Sequence, residues 1–125
     1  MIRLVLAVCL ISAPALAETR VVDGDTIHVD GEKIRIMDLN TPETWKPKCM
    51  AERMLGKRAT AYGEELAPRI ERIERHGKDR YGRTLARVKL DNGEDWADAM
   101  IKAGLAVPFE CPKKRCPPMT DWCGG

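Results

Sequence analysis

Net charge, histidine, repeats and membrane-length apolar runs are all scarce or missing in this chain. Its 21 basic residues face 19 acidic ones, a formal charge of +2. That balance excludes a general nucleic-acid sponge, so any attraction to phosphate must come from local placement of charge. No internal repeat, linker or low-complexity tract divides the sequence. What remains is one small domain with a single modest core. His28 and His76 are the only histidines, and neither sits in a ligand pattern. Aromatic residues make up 5%, so each of the tryptophans is weighed singly. Trp45, in a polar loop, would either stack on a base or cover the core; Trp96 reads as core and Trp122 as packing.

The one long apolar run, Leu4 to Ala13, is too short to span a bilayer as a stable helix. Arg3 gives it a basic start, and Ala15-Leu16-Ala17 is a small-x-small cleavage site. Residues 1–17 therefore read as a secretory signal peptide cleaved after Ala17, and the expected location is secreted or periplasmic. Cys9 would suit a lipoprotein signal, although Val8 before it is bulkier than such sites usually allow. Removing the signal takes away Arg3 and leaves 20 basic and 19 acidic residues, a formal charge of +1. The protein so released is expected to be a monomer with no membrane attachment.

Cys9 goes with the signal, leaving Cys49, Cys111, Cys116 and Cys123. An even count in a small secreted chain reads as two disulfides, with three connectivities open. Cys49 is the expected anchor of the tail to the domain body. The rival reading, a zinc site, suits an oxidising compartment poorly.

The first chemically rich segment runs from Val21 to Glu43. Thr26 to Val29 alternates polar and apolar, Asp30-Gly31 is a tight-turn pair, and Glu32 to Met37 puts Ile34 and Ile36 opposite Arg35. This predicts a β-hairpin with one apolar side. Asp38 to Met50, with two prolines, reads as a loop. Ala51 to Ala67 has Leu55, Ala59, Tyr62 and Leu66 at helical spacing, and Pro68 closes it. Strands are predicted over Arg69 to Arg75 and Thr84 to Leu90, with a polar loop over His76 to Arg83 between them. A second helix spans Asp95 to Ala103, capped by Gly104. Helix insertion between the third and fourth strands predicts an α+β, mainly β fold. The expected form is a small five-stranded Greek-key barrel of the oligonucleotide/oligosaccharide-binding (OB) type, with two helices and a disulfide-rich tail. The domain is expected over residues 18–110 and the cysteine-rich tail over 111–125.

Among Asp23, Asp25, Asn40 and Thr41 the segment offers oxygen ligands for a hard cation. Arg35 and Arg83 offer planar guanidiniums that can each give two hydrogen bonds to a phosphate. Glu43, stiffened by Pro42, offers a carboxylate for a water. Those are the parts of a phosphodiester-cleaving site.

The segments DGDT (Asp23 to Thr26), R-x4-N-T-P-E (Arg35 to Glu43) and D-R-Y-G-R (Asp79 to Arg83) resemble the signatures of the staphylococcal nuclease family. The likeness continues through Cys49-x2-Glu52-x2-Leu55-Gly56 and covers roughly Val21 to Ala106. The resemblance implies a five-stranded barrel with helices and Ca²⁺-dependent hydrolysis of DNA and RNA to 3′-phosphate ends. It places Asp25 and the side chain at position 40 on the metal, with Thr41 there through its carbonyl. It assigns Arg35 and Arg83 to the scissile phosphate, Glu43 to the attacking water and Tyr81 to the substrate. Two departures stand out. Asn40 occupies a position where a carboxylate is expected, which lowers the ligand charge; Asp38 or Asp23 is the expected source of compensating charge. The likeness also fades after Ala106, where the cysteine tail replaces the family's final helix. The rival to a nuclease is therefore a barrel that binds nucleic acid without cutting it.

Overall fold

The computed structural model describes residues 18–124. The expected signal peptide lies outside the described residues. Seven strands and two α-helices follow in the order β1 (Thr19–Asp23), β2 (Thr26–Val29), β3 (Glu32–Ile36), β4 (Asp38–Asn40), α1 (Met50–Leu66), β5 (Ile70–Lys78), β6 (Thr84–Leu90), α2 (Trp96–Lys102) and β7 (Val107–Phe109).

Five strands form one sheet in the order β1-β2-β3-β6-β5. The hairpin between β2 and β3 turns at Asp30 (φ 48°) and Gly31 (φ 83°), the left-handed pair that a two-residue turn requires. The next contact, β3 with β6, is parallel, with Arg35 opposite Leu85. A parallel pair needs a long crossover, and α1 with β5 supplies it. This is the OB-like arrangement expected, with α1 between the third and fourth strands of the main sheet.

The structure corrects three local expectations. Asp38–Asn40 is not loop: it pairs antiparallel with Val107–Phe109, Asn40 opposite Val107. A three-residue strand lacks the alternation that marks strands in sequence, and its partner lies far along the chain. β5 runs on to Lys78, and shifts in its register with β6 bend it there. The fully buried stripe of α1 is Glu52, Gly56, Ala59, Gly63 and Leu66, with Tyr62 packed half-buried at its edge and Leu55 half-buried. Close approach decides this. A Cβ on Gly63 would stand 2.9 Å from Val21 Cγ1 and 3.1 Å from the Trp96 ring. Helix α1 lies against β1 and α2 with almost no gap, which only small residues permit.

The core is mainly aliphatic: Ile27, Ile34, Ile36, Leu39, Leu66, Val88 and Leu90 surround Trp96 and Met100, as the alternation in β2, β3 and β6 requires. Trp96 is fully buried, and its Nε1 donates to the carbonyl of Gly24 at 2.8 Å. That bond satisfies the indole and ties α2 to the turn between β1 and β2.

The four cysteines pair as Cys49–Cys123 and Cys111–Cys116, so the zinc reading falls. Cys49 is also the N-cap of α1 and anchors the tail as expected.

Candidate active site

The turn from β1 into β2 carries Asp25, and β3 runs back beside it. The Ile36 amide donates to the Asp25 carbonyl at 2.8 Å, fixing where the carboxylate emerges. Gly24 lets this turn meet the next loop: a Cβ there would lie 2.8 Å from Thr41 Cγ2. The Asp25 carboxylate is buried and takes three partners. Thr26 Oγ1 donates to Oδ1 at 2.9 Å, the Thr41 amide to Oδ2 at 3.4 Å, and Arg35 forms an ion pair with Oδ2 at 3.5 Å.

The Arg35 guanidinium is itself mostly buried. It donates to the carbonyls of Ile36 and Leu39, the latter at 2.9 Å, and so braces the backbone that presents Asn40. Asn40 and Thr41 are almost completely buried. Their side-chain oxygens, Asn40 Oδ1 and Thr41 Oγ1, accept or donate no hydrogen bond among the described residues. A buried oxygen without a partner costs free energy, and a hard cation is one way to recover it. The donor set beside Asp25 therefore fits a divalent cation with oxygen ligands. It holds fewer carboxylates than a tight site needs. Among the described residues no three His, Cys, Asp or Glu side chains gather as a metal cluster.

Glu43 is half-buried at the edge of the same cluster. Desolvation and the neighbouring carboxylates of Asp25, Asp23 and Glu52 push it up to about 7, against a smaller opposing pull from Arg35. A carboxylate poised near neutrality is a competent base at that pH, unlike one of ordinary pKa. Its loop is pinned on both sides. Thr44 donates to Asp23 Oδ1 through its amide at 3.4 Å and also through its hydroxyl. Glu52, buried in the first turn of α1, accepts the Lys48 amide at 2.6 Å and the Glu43 amide at 3.5 Å. Gly56 allows the helix to press on this loop, since a Cβ there would be 2.8 Å from the Glu43 carbonyl oxygen.

Arg83 and Tyr81 stand apart from this cluster. Asp79 accepts the amides of Tyr81 and Arg83 at 2.9 Å and Arg83 Nε at 2.8 Å, closing the turn into β6. Burial pushes the Asp79 carboxyl up, but the bonds from Arg83 and Tyr81 outweigh it and hold it below its ordinary value. Tyr81 is exposed at the tip, with the Arg80 and Arg83 guanidiniums 4.9 and 5.5 Å from its ring centre. Among the described residues Arg83 makes no bond to Asp25, Asn40, Thr41 or Glu43. The parallel register sets it two residues before Leu85, the partner of Arg35.

Of the two expected sources of charge for Asn40, Asp38 turns away with positive φ and pairs with Arg87 Nε at 2.7 Å. Asp23 accepts from Thr44 and keeps its negative charge beside Glu43. Glu52 was visible in sequence only within the resembling motif. Its spacing from Cys49, a cap residue followed three positions later by Glu, is the signal of a helix start. A cavity of about 190 Å³ opens beside the cluster, lined by Asn40, Thr41, Glu43, Lys46, Lys48 and Glu52 and closed on the far side by Met119, Thr120 and Trp122 of the tail.

Comparison with known proteins agrees with this geometry. A family profile described as "Staphylococcal nuclease homologue" matches residues 33–119. The chain is 40% identical over 94 residues to a thermonuclease of Staphylococcus intermedius, covering 70% of this chain and 55% of that protein. It is 32% identical over 107 residues to the succinoglycan biosynthesis protein ExoI of Rhizobium meliloti, covering 81% of this chain and 56% of that one. It is 34% identical over 103 residues to endonuclease YhcR of Bacillus subtilis, covering 72% of this chain and 8% of that one. The chain thus spans about half the length of the first two of these relatives. With that profile matching residues 33–119, well over half of the chain, the chain belongs to the staphylococcal nuclease homologue family.

Proposed function

We propose that this protein is a secreted or periplasmic nuclease that hydrolyses phosphodiester bonds of DNA, RNA or both, with Ca²⁺ as its cofactor. The observation that carries this reading is the convergence of Asp25, Arg35, Asn40 and Thr41 with a half-buried Glu43 held near neutrality. Asp25, Asn40 and Thr41 would hold the cation, which when bound supplies positive charge for the phosphate oxygens.

This chain's own residues do the rest. Glu43 orients a water and takes its proton as the water oxygen bonds to phosphorus. The bond from phosphorus to the 5′ oxygen then breaks, that oxygen takes a proton from solvent and departs as a 5′-hydroxyl end, and a 3′-phosphate end remains. Negative charge grows on the equatorial oxygens during attack. Arg35, already braced within the site, donates to them from one side, and Arg83 from the loop before β6 donates from the other. Lysine at either position would lose the two-pronged geometry. Tyr81 lies beside Arg83, where a base or sugar passes. The two disulfides support an oxidising location. No helix among the described residues is long and apolar enough to cross a membrane.

A second reading, a module that binds nucleic acid without cutting it, is favoured by one observation: an uncharged Asn40 at the heart of the cation site. One experiment separates them. The oxidised chain is incubated with single-stranded DNA and with RNA across a Ca²⁺ titration, with a chelator control. Chelator-sensitive cutting that saturates only at high Ca²⁺ is the expected result. A folded protein that cuts nothing at any Ca²⁺ level, yet cuts after Asn40→Asp, would establish the binding module instead.

A further inference from the structure

Trp45 is the most exposed large apolar side chain of the described residues, at 74% of its free surface. It lies two residues from Glu43, on a loop that is otherwise tied down. Thr44 before it is bonded to Asp23, and the Lys48 amide after it is bonded to Glu52. Pro47 and the Cys49–Cys123 disulfide restrict the same stretch. An indole displayed on a fixed loop presents a stacking face at small entropic cost. Lys46 adopts the left-handed conformation, φ 55°, and its Nζ stands 4.5 Å from the Trp45 ring centre. The indole therefore carries a cation over its ring while most of its surface stays exposed. Lys46 and Lys48 also line the cavity beside Asn40 and Glu43.

Resting on the nuclease reading above, we propose that Trp45 and Lys46 form a base-stacking subsite beside the scissile phosphate that selects unpaired nucleotides. Stacking on an aromatic ring needs a base whose face is free, which a duplex hides and a single strand offers. The adjacent ammonium groups of Lys46 and Lys48 meet the phosphates that flank such a base. A partner recognised through charge alone would need the lysines and not the ring.

The test compares wild type, Trp45→Ala and Trp45→Phe on single-stranded and duplex DNA. Trp45→Ala is expected to lower kcat/KM on the single strand about ten-fold, mainly through KM, the size of one lost stack. The ratio of single-strand to duplex kcat/KM falls by the same factor, and Trp45→Phe recovers most of it. In chelator, an eight-nucleotide oligothymidylate is expected to quench wild-type tryptophan fluorescence. The Trp45→Phe protein loses that quenching, and an abasic oligomer of equal charge produces none. Equal losses on single strand and duplex, no loss, or quenching that survives in Trp45→Phe would overturn the subsite while leaving the nuclease reading in place. Binding with quenching but no cutting would support the subsite and overturn the nuclease reading. A wild type that neither binds nor cuts overturns both. Should Trp45→Ala fail to fold, the Trp45→Phe titration and the abasic control still decide the question.

Discussion

Asn40 and Glu43 show how much a single residue's surroundings decide. Asn40 Oδ1 is a buried oxygen without a donor among the described residues, and Asn40 lines one cavity with Glu43. Replacing it with aspartate adds a ligand charge and a burial cost at once. Asn40→Asp is expected to bind Ca²⁺ about 10- to 100-fold more tightly, by calorimetric titration. In chelator the same variant melts below wild type, because the new carboxylate faces Asp25 and Glu43 without a cation. Higher stability in chelator would show that the amide oxygen is not where the charge matters. Glu43 gives the pH dependence. Its ordinary value is 4.5, and in the folded metal-free protein it stands at about 7. Between those values the folded chain keeps a proton that the unfolded chain releases, so stability falls as pH rises through that window. Glu43→Gln removes the slope. It is expected to be more stable than wild type by about 2 kcal/mol at pH 8 and equal to it at pH 4, by chemical denaturation in chelator. A variant equally stabilised at both pH values would refute the assignment.

At the scale of elements, helix α1 is a brace for the loop of Glu43. Apart from Leu66 at its end, its buried stripe is built from Glu52, Gly56, Ala59 and Gly63, residues with little apolar surface of their own. Glycine inside a helix costs about 0.5–1 kcal/mol, so its presence twice on one face calls for a packing reason. The reason at Gly56 is the Glu43 carbonyl, 2.8 Å from where a Cβ would be, with the Pro42 carbonyl at 3.2 Å. Both are backbone and cannot swing aside. Gly56→Ala is expected to destabilise the fold by about 1–3 kcal/mol despite improving helix propensity. It should also lower kcat, because the displaced loop carries the catalytic base Glu43. Thermal melting and steady-state kinetics check the two parts. A stabilised variant would mean that α1 and the loop do not press on one another.

Across the whole molecule, the Cys49–Cys123 bond joins the start of α1 to the end of the chain over a separation of 74 residues. It holds Met119, Thr120 and Trp122 against the cavity that Asn40 and Glu43 line. A crosslink over so long a loop restricts the unfolded chain strongly. Cys49→Ser with Cys123→Ser is expected to cost about 2–5 kcal/mol, read by denaturant unfolding. Loss of only the Cys111–Cys116 bond, which closes a separation of 5 residues, should cost less. The reverse ranking would show that the short loop, not the long clasp, stabilises the tail.

Strongly periodic or locally punctuated features were legible in the sequence. The hairpin at Asp30-Gly31, the body of α1, the strand Thr84–Leu90 and α2 with its glycine end follow from side-chain period and turn chemistry, which act over a few residues. The cluster of Asp25, Arg35, Asn40, Thr41 and Glu43 was legible because all five fall within one short stretch of chain, which runs from the β1–β2 turn through β3 and β4 to the loop after it. What the sequence hid depends on distant partners. The pairing of Asp38–Asn40 with Val107–Phe109 needs a neighbour about 70 residues away. The rotation of α1 onto its glycines was decided by how close β1 and α2 come, which no helical period encodes. The disulfide pairing left three choices until the tail was seen folded back on α1. Asp38 is drawn to Arg87 of β6, the strand beside β3 but 49 residues along the chain. The sequence by itself determined which chemical groups are present and which short segments carry them. The tertiary structure alone decided which of those groups share a desolvated space. Burial and charge repulsion then set Glu43 near neutrality, and burial leaves Asn40 Oδ1 without a donor among the described residues.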